Sequence, residues 1–329
     1  MNAGPIIART FLVVAGVVAL GCGGAIRSEP APAAPCADED IVTTGDVSTF
    51  EIDGDAVLWG TVTGDVAVRD SRGTRTLGSI GSTRVVSLAV DAQTVFAVGD
   101  AGIFAFDRVQ GARTTILASV DHPVAIAKNA AGLFYLESGS GFLRARLVRI
   151  EGTEVTILAS GISGASALAV DPAWVYVMTA GTRPCELVRL PVGGGAPSFV
   201  WTEACGGDRI VVDETNAYVA GDRFNYGPVP FVAVRLGSKA GTSNPLELRE
   251  DVGTFAGFAV DPSFAYVALS LGATKSSLVR KPLAGGSDET LATTTGDEFG
   301  ELRVSPTALF RARVRGTQPR IEKRCKPLQ

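Results

Sequence analysis

Residues 88–98 read LAVDAQTVFAV, and residues 258–268 read FAVDPSFAYVA. Each stretch is a short apolar run ending in Val-Asp, followed by a second apolar run that carries an aromatic residue. The pattern occurs seven times, and the other five copies are EIDGDAVLW (51–59), IAKNAAGLFYL (126–136), LAVDPAWVYVM (168–178), VVDETNAYVA (211–220) and LRVSPTALFRA (302–312). The residues at the Asp position are Asp53, Asp91, Lys128, Asp171, Asp213, Asp261 and Ser305, with steps of 38, 37, 43, 42, 48 and 44 residues. A strand-rich repeat of about 40 residues predicts a β-propeller.

Each repeat divides into four strands, A to D. In the second repeat these are Val86–Val90, Val95–Val98, Gly102–Phe106 and Thr114–Ala118. Glycines recur at the turn between strands C and D, where hairpins require positive φ, at Gly73, Gly111, Gly152, Gly193–Gly195 and Gly285–Gly286. Long amphipathic helical patterns are missing. We therefore predict an all-β chain with a single propeller of seven four-stranded blades.

The seventh repeat is incomplete, because the chain ends after its strand B, Leu309–Val314, and its strand C, Pro319–Cys325. Conversely, Asp40–Thr44 precedes the first strand A and belongs to no repeat. We predict that this N-terminal strand completes the last blade, since that arrangement joins the chain ends and removes an open sheet edge.

The cysteines agree with this division. Cys36 precedes the N-terminal strand and Cys325 ends the last strand C, whereas Cys185 begins strand C of the fourth blade and Cys205 ends its strand D. Strands C and D are antiparallel, so the end of one meets the start of the other. Of the three pairings that four cysteines allow, this geometry selects Cys36–Cys325 and Cys185–Cys205. Free or metal-binding thiols are the alternative, although the chain contains no Cys-x-x-Cys.

The N-terminus reads as a targeting segment. Arg9 precedes the ten-residue apolar run Phe11–Leu20, which is too short to span a membrane. The run leads to Ala19-Leu20-Gly21-Cys22, which resembles a bacterial lipobox, except that Ala19 replaces the usual leucine. The resemblance implies residues 1–21 as a signal peptide, Cys22 as a lipidated (palmitate-bearing) residue, 22–39 as a Pro/Ala-rich tether and 40–329 as the propeller. An ordinary cleaved signal is the alternative.

Several features resemble YWTD-type and NHL-type propeller repeats over residues 40–325. They are the strand-A Val-Asp, the C–D glycine turn, the sequence Asp121-His122-Pro123-Val124 and the strand-B aromatics Phe96, Phe134, Tyr176, Tyr218, Tyr266 and Phe310. YWTD propellers have six blades, so six blades remain the alternative to the seven strand-A sites counted here.

Composition restricts the possible chemistry. The chain has 329 residues, a net charge of −4 and no basic stripe, which argues against nucleic-acid binding. His122 is the only histidine, so a Ser-His-Asp site would have to use it and a multi-histidine metal site is impossible. We assign His122 to a structural loop and the recurrent aspartates to Asx turns, and we predict no catalytic residue, no metal site and no cofactor.

An arginine recurs in strand C, at Arg69, Arg149, Arg189, Arg235 and Arg280. We interpret these side chains as a solvated face that pairs with acidic neighbours, each exposed pair contributing about 0–1 kcal/mol. The alternative, a ring that binds anions, would need all five on one inner surface.

The segment that differs most from the other repeats is GDRFNYGPVP (221–230), a long loop between strands B and C of the fifth repeat. It carries the candidate binding residues Asp222, Arg223, Phe224, Asn225 and Tyr226, a mixture typical of recognition loops. Acidic residues assigned to neighbouring D–A connections are Glu250, Asp251, Asp297, Glu298 and Glu301.

We expect a non-catalytic, monomeric binding or scaffold module. Lipid anchoring would tether it to the bacterial cell envelope, at the outer membrane rather than the inner, where it would bind an envelope protein, peptide or glycan. The alternative is a propeller enzyme, a lyase or glycan-active type, that uses acidic residues at the central channel.

Overall fold

The computed structural model describes residues 36–42, 46–139, 145–179, 185–203, 207–223, 231–241, 246–272, 275–296, 298–315 and 320–326. The chain divides into Met1–Pro35, which lies outside these ranges, and Cys36–Gln329. In the described part there is no helix that is long and apolar enough to cross a membrane.

Cys36–Gln329 forms a ring of seven blades, each a sheet of four antiparallel strands. Blade 1 contains β2 (Val47–Asp53), β3 (Ala56–Thr61), β4 (Asp65–Asp70) and β5 (Gly73–Ser79). Blade 2 contains β6 (Ser87–Val90), β7 (Thr94–Gly99), β8 (Gly102–Asp107) and β9 (Arg113–Leu117). Blade 3 contains β10 (Pro123–Asn129), β11 (Gly132–Glu137), β12 (Ala145–Glu151) and β13 (Glu154–Ile162).

The next three blades repeat this order. Blade 4 contains β14 (Ala165–Val170), β15 (Trp174–Thr179), β16 (Cys185–Pro191) and β17 (Ser198–Glu203). Blade 5 contains β18 (Arg209–Val212), β19 (Asn216–Arg223), β20 (Phe231–Ser238) and β21 (Leu246–Val252). Blade 6 contains β22 (Thr254–Val260), β23 (Phe264–Ser270), β24 (Lys275–Pro282) and β25 (Glu289–Thr295).

Blade 7 joins the two ends of the chain. It contains β26 (Glu298–Val304), β27 (Ala308–Arg315), β28 (Arg320–Cys325) and, as its outermost strand, β1 (Glu39–Val42). β1 pairs antiparallel with β28, with Ile41 opposite Ile321, and both side chains are buried. The predicted seven blades and the N-terminal closing strand are confirmed, and the six-bladed alternative is wrong.

Seven hydrophobic clusters hold the ring together, one at each contact between neighbouring blades. Between blades 7 and 1, for example, Trp59 and Phe50 pack with Phe310, and all three are fully buried. Strand B is covered on both faces, so β3 and β11 are buried along their whole length, whereas the outer strand β9 is half exposed. Burying one such large apolar side chain contributes about 1.5–3 kcal/mol, and no blade could bury its own faces alone.

The innermost strands β2, β6, β10, β14, β18, β22 and β26 form the wall of a central channel, each in contact with the next and β26 in contact with β2. A β-bulge near the start of β2, β10, β14 and β22 shifts the register against strand B. Packing is tight here, because a Cβ on Gly257 would lie 2.4 Å from the Gly300 carbonyl oxygen. The bulges thus turn selected side chains of strand A towards the channel.

Candidate functional site

The turns between strands A and B place the recurrent aspartates at one end of the ring, the A–B face, which also carries the C–D turns. Asp171 Oδ1 accepts hydrogen bonds from the amides of Ala173 and Trp174, at 2.9 and 2.8 Å, and Oδ2 accepts one from the Tyr176 hydroxyl at 2.9 Å. The same Asx turn forms at Asp91, Asp213 and Asp261. These bonds confirm the predicted Asx turns at four of the five aspartates, Asp53 being the exception.

The third repeat departs from the sequence alignment. Asn129, rather than Lys128, lies opposite the first residue of strand B, and its side-chain oxygen accepts a hydrogen bond from the Ala131 amide at 2.8 Å. Asn129 therefore occupies the Asx position in blade 3. The assignment of Lys128 to that position is wrong by one residue, because an apolar run of this kind does not mark where strand A ends.

Three of the strand-A aspartates also join neighbouring blades. Lys239 of blade 5 contacts Asp171 of blade 4 through its Nζ, 2.7 Å from Oδ2. Lys326 and Arg108 make the corresponding contacts to Asp261 and Asp53. Burial by itself would raise the pKa of Asp171, but the Lys239 ammonium and the turn hydrogen bonds outweigh it and lower that pKa.

The strand-C arginines do not form a ring. Arg235 and Arg280 pair with Glu247 and Glu289 of the adjacent strand, at 2.8 and 2.7 Å. Arg149 pairs with Glu151 at 3.4 Å and also donates to a backbone oxygen of the following blade, Val192, at 3.1 Å. The predicted pairing with acidic neighbours is confirmed for Arg69, Arg149, Arg235 and Arg280 but not for Arg189, which donates to Ser198 Oγ and to the Lys239 carbonyl oxygen. Arg235 is buried rather than solvated.

The Cys36–Cys325 disulfide closes the ring, with 5.7 Å between the two Cα atoms. Beside it, the Cys325 amide donates to Asp38 Oδ1 at 2.8 Å. Cys185 is also disulfide-bonded, whereas its predicted partner Cys205 lies outside the described residues. Cys22 lies outside them as well.

The only histidine lies on the B–C face, the end of the ring opposite the A–B face. His122 is exposed, and its Nδ1 lies 2.6 Å from Asp121 Oδ1. Ser138 Oγ donates to the His122 carbonyl oxygen at 3.3 Å and not to the ring. Among the described residues no hydroxyl or thiol bonds to this imidazole.

The candidate binding loop starts at the wall of the channel on the B–C face. The Asp222 amide, near the end of β19, donates to Asp208 Oδ2 at 3.0 Å, and Asp222 Oδ1 accepts from the Phe255 amide of blade 6. Arg223 ends β19, and Phe224, Asn225 and Tyr226 lie outside the described residues. The loop therefore continues from a residue that bonds to the rim of the channel.

Four acidic residues that the sequence analysis assigned to D–A connections lie in strands instead. Glu298 and Glu301 belong to β26, the innermost strand of blade 7, and not to a D–A connection. Glu250 and Asp251 belong to β21, and Asp297 lies outside the described residues. Glu301 was misplaced because apolar residues on both sides of Glu301 and Arg303 hide the start of the strand.

The channel holds a cavity of about 160 Å³ with a charged network in its wall. Arg303 is nearly buried, and it donates to Glu51 Oε1 at 2.9 Å, to Glu301 Oε1 at 2.8 Å and to the Leu302 carbonyl oxygen at 2.8 Å. Glu301 Oε2 also accepts from the Phe50 amide at 2.8 Å. Burial alone would raise the pKa of Glu301, but the charges of Arg303 and then of Arg209 lower it.

In contrast to Glu301, whose pKa is lowered, two carboxyl groups at the mouth of the channel have raised pKa values. Burial raises the pKa of Asp208, and burial together with the Asp208 charge raises the pKa of Asp222. No lysine or arginine nitrogen of the described residues lies within 4.0 Å of either carboxylate. The mouth thus combines two acids of raised pKa with the start of the candidate loop.

Two clefts between blades also open near the A–B face. A shallow cleft of about 920 Å³ between blades 4 and 5 is lined by Trp174, Arg189 and Lys239. A smaller one of about 290 Å³ between blades 6 and 7 is lined by Leu278 and Arg324. The charged groups in both clefts already contact other groups of the protein. Arg189, for example, lies 4.3 Å from the centre of the Trp174 ring and donates a hydrogen bond to a backbone oxygen. These contacts hold blades together.

Repeat alignment contains a signal that sequence reasoning missed. Four residues before the Asx position, the seven blades carry Thr49, Ser87, Ala125, Ala167, Arg209, Gly257 and Glu301. Two residues before it they carry Glu51, Ala89, Ala127, Ala169, Val211, Ala259 and Arg303. Charged side chains at positions that are otherwise small or apolar mark the channel network, because these two positions share one face of strand A.

The fold can be compared with known proteins. No family model and no curated protein matches the sequence. Among solved structures, the β-propeller domain of Cps50 (Swd1) from Myceliophteria thermophila is 13% identical, with a TM-score of 0.66 over 88% of this chain and 100% of that chain. Hydrazine synthase from Kuenenia stuttgartiensis is 13% identical, with a TM-score of 0.63 over 84% and 98%. A nidogen/laminin complex is 14% identical, with a TM-score of 0.55 over 73% and 93%.

These similarities place the chain among seven-bladed β-propellers. At such low identity they show the fold alone, and 771 chains of known structure match it. A fold this widely used does not select a function, so the function has to be argued from the site.

Proposed function

We propose that this protein is a binding module that recognises a partner through its B–C face, around the mouth of the channel. The observation that carries the proposal is the bond between the Asp222 amide and Asp208, because it joins the start of the candidate loop to the channel rim. Loop residues of the types Arg, Phe, Asn and Tyr supply aromatic and charged contacts of the kind that dominate recognition surfaces. The disulfide-closed ring would hold them on a rigid base.

The proposal includes a lipid tether at Cys22 and anchoring in the bacterial cell envelope, at the outer membrane rather than the inner. The partner would be an envelope protein, peptide or glycan, and the propeller would act as a monomer. The Cys36–Cys325 disulfide supports export, because such bonds persist in oxidising compartments. The resemblance to YWTD and NHL repeats belongs to the same proposal.

Photocrosslinking in intact cells tests the binding face. A photoreactive residue at Asn225 should give a reproducible adduct with one partner, whereas the same probe at Glu214, on the A–B face, should not. Replacing Phe224 and Tyr226 together by alanine should reduce the adduct from a probe at Arg223 at least about tenfold, since aromatic anchors each contribute about 2 kcal/mol or more. Glu214→Ala serves as the control. An undiminished adduct in the double variant would refute the assignment of this face.

The carboxyl pair at the mouth favours a second candidate function, a lyase or glycan-active enzyme. Raised pKa values at Asp208 and Asp222 are typical of groups that exchange protons during catalysis. Purified protein should then shorten isolated envelope polysaccharide, and Asp208→Asn and Asp222→Asn should each abolish the activity. Unchanged polysaccharide chain length at every pH between 4 and 8 would exclude this candidate.

A further inference from the structure

Among the described residues, the channel wall contains an arginine, Arg209, whose side chain forms no hydrogen bond. Arg209 lies in β18, and its side chain is 34% exposed. Its nearest acidic atom is Glu301 Oε1, 3.8 Å from Nη1, which is too long for a hydrogen bond. Nε is buried without a partner, and neither terminal nitrogen forms a hydrogen bond within the described chain. The terminal nitrogens of Arg209 therefore remain available towards the cavity.

The surrounding groups cannot satisfy this guanidinium. Glu301 is already bonded to Arg303, to Thr49 and to the Phe50 amide. Glu51 is bonded to Arg303. Arg303 carries the same charge as Arg209 and, after burial, is the next cause of the lowered pKa of Arg209. An anion in the cavity would relieve both the missing hydrogen bonds and the like-charge contact.

A second donor lines the same cavity. Ser87 Oγ accepts a hydrogen bond from the Ile126 amide at 3.3 Å, and its own proton has no acceptor among the described residues. Ser166, by contrast, uses its proton on the Gly207 carbonyl oxygen at 2.7 Å. Among the described side chains that line the cavity, Ser87 and Arg209 are thus the two donors that donate no hydrogen bond of their own.

We infer that Arg209 and Ser87 form a subsite for a carboxylate group within the central channel. The planar fork of a guanidinium matches a carboxylate in a two-bond contact. The charges of Arg209, Arg303, Glu301 and Glu51 sum to zero, and Asp208 adds a carboxyl group whose pKa is raised by burial. A monoanion is therefore accepted more readily than a phosphate dianion, which would face all three acidic side chains. A volume of about 160 Å³ holds roughly five waters, so the group entering it carries only a few carbon atoms. Either a small organic acid or the C-terminus of a peptide presents this chemistry.

This inference is independent of the partner proposed for the B–C face, since it concerns the purified protein and a small probe. Sodium acetate is titrated into the full-length protein in detergent micelles at constant ionic strength, with binding followed by calorimetry and by thermal unfolding. Acetate should bind saturably. Arg209→Gln should weaken it at least about tenfold and Ser87→Ala about fivefold, as expected for a charged and a neutral hydrogen bond. Arg84→Gln, which changes an exposed arginine, should leave it unaltered.

Three results would overturn the assignment: equal binding of acetate by Arg209→Gln, equal effects of chloride and acetate, or tighter binding of inorganic phosphate than of acetate. If Arg209→Gln does not fold, as judged by circular dichroism, Arg209→Lys and Ser87→Ala decide the question. A tetrapeptide with a free C-terminus, compared with its amidated form, distinguishes the two sources. Tighter binding of the free peptide than of acetate assigns the site to peptide ends, and tighter binding of acetate assigns it to small acids.

Discussion

Glu322 is the point at which the ring closure can be tested most sharply. It lies in β28, is fully buried and faces arginines on two strands. Its carboxylate lies 2.6 Å from Arg311 Nε and 2.5 Å from Arg313 Nε, and it also contacts Arg320 and Arg324 at 3.2 and 3.6 Å. Glu322→Gln preserves the shape of the side chain but removes a negative charge that these four arginines share.

The size of the loss in the free energy of unfolding depends on whether the arginines can be solvated once the carboxylate is neutral. Arg311 is 7% exposed, so its guanidinium cannot be solvated once the carboxylate is neutral. Leaving a buried charge without its partner costs about 3–5 kcal/mol. Gln retains one acceptor oxygen, so we expect a loss of about 3 kcal/mol in the free energy of unfolding. That is a large part of the stability of a typical domain.

The assay is equilibrium unfolding in urea at pH 7, with Glu289→Gln as the matched control. Glu289 pairs with Arg280 at 2.7 Å but is 55% exposed, so its loss should cost at most about 1 kcal/mol. A loss below about 1 kcal/mol for Glu322→Gln would refute the reasoning, since it would mean that the arginines do not depend on this carboxylate.

The pH dependence of the same pair has a definite sign. Burial alone would raise the pKa of Glu322, but the charge and hydrogen bond of Arg311 and the charge of Arg313 lower it below the ordinary 4.5. A depressed folded-state pKa contributes stability that is complete above the unfolded-state pKa and is lost as pH falls through the folded value. The stability difference between wild type and Glu322→Gln should therefore be constant above about pH 5 and shrink below pH 4.5. A difference that grows on acidification would contradict the assignment.

Three further changes test other parts of the ring. Replacing Cys36 and Cys325 together by serine should lower the free energy of unfolding by up to about 5 kcal/mol, because their bond spans 289 residues; a loss below 1 kcal/mol in urea unfolding would contradict the loop-entropy account. Tyr266→Phe removes a 2.8 Å hydrogen bond to Asp261 and should cost about 1 kcal/mol in the same assay, and a neutral result would show that the Asx turn needs no hydroxyl. Arg209→Gln should leave thermal stability unchanged or raised, since no hydrogen bond is lost, and a clear decrease in Tm would mean that this arginine stabilises the ring.

The blade pattern could be predicted because each repeat carries its own local evidence. An apolar run, an Asp at the turn and a glycine before strand D recur in most copies. The repeat can therefore be recognised even where one copy is irregular. Closure of the last blade could be predicted by counting strands. The seventh repeat lacks a fourth strand, and the N-terminal strand belongs to no repeat. Asn129 shows the limit of this reasoning, because a shift of one residue along an apolar run changes no local pattern.

The candidate site was harder to predict because it is assembled across blades. Arg209, Arg303 and Glu51 come from repeats that are far apart in sequence, and each repeat by itself offers only one unusual residue. Glu51 lies 252 residues from Arg303, yet the two side chains are 2.9 Å apart. Nothing local distinguishes such a residue from a surface charge.

Sequence alone determined the architecture: seven blades, the closing strand and the cysteine pair beside it, because β-repeats and their turns are encoded within about 40 residues. The tertiary structure decided which charges meet, since closure of the ring brings the first, fifth and seventh repeats to one channel. It also decided that Arg303 bonds to Glu301 while Arg209, within the described part of the chain, forms no side-chain hydrogen bond, because hydrogen bonding in a shared wall depends on distances between strands that no single repeat specifies.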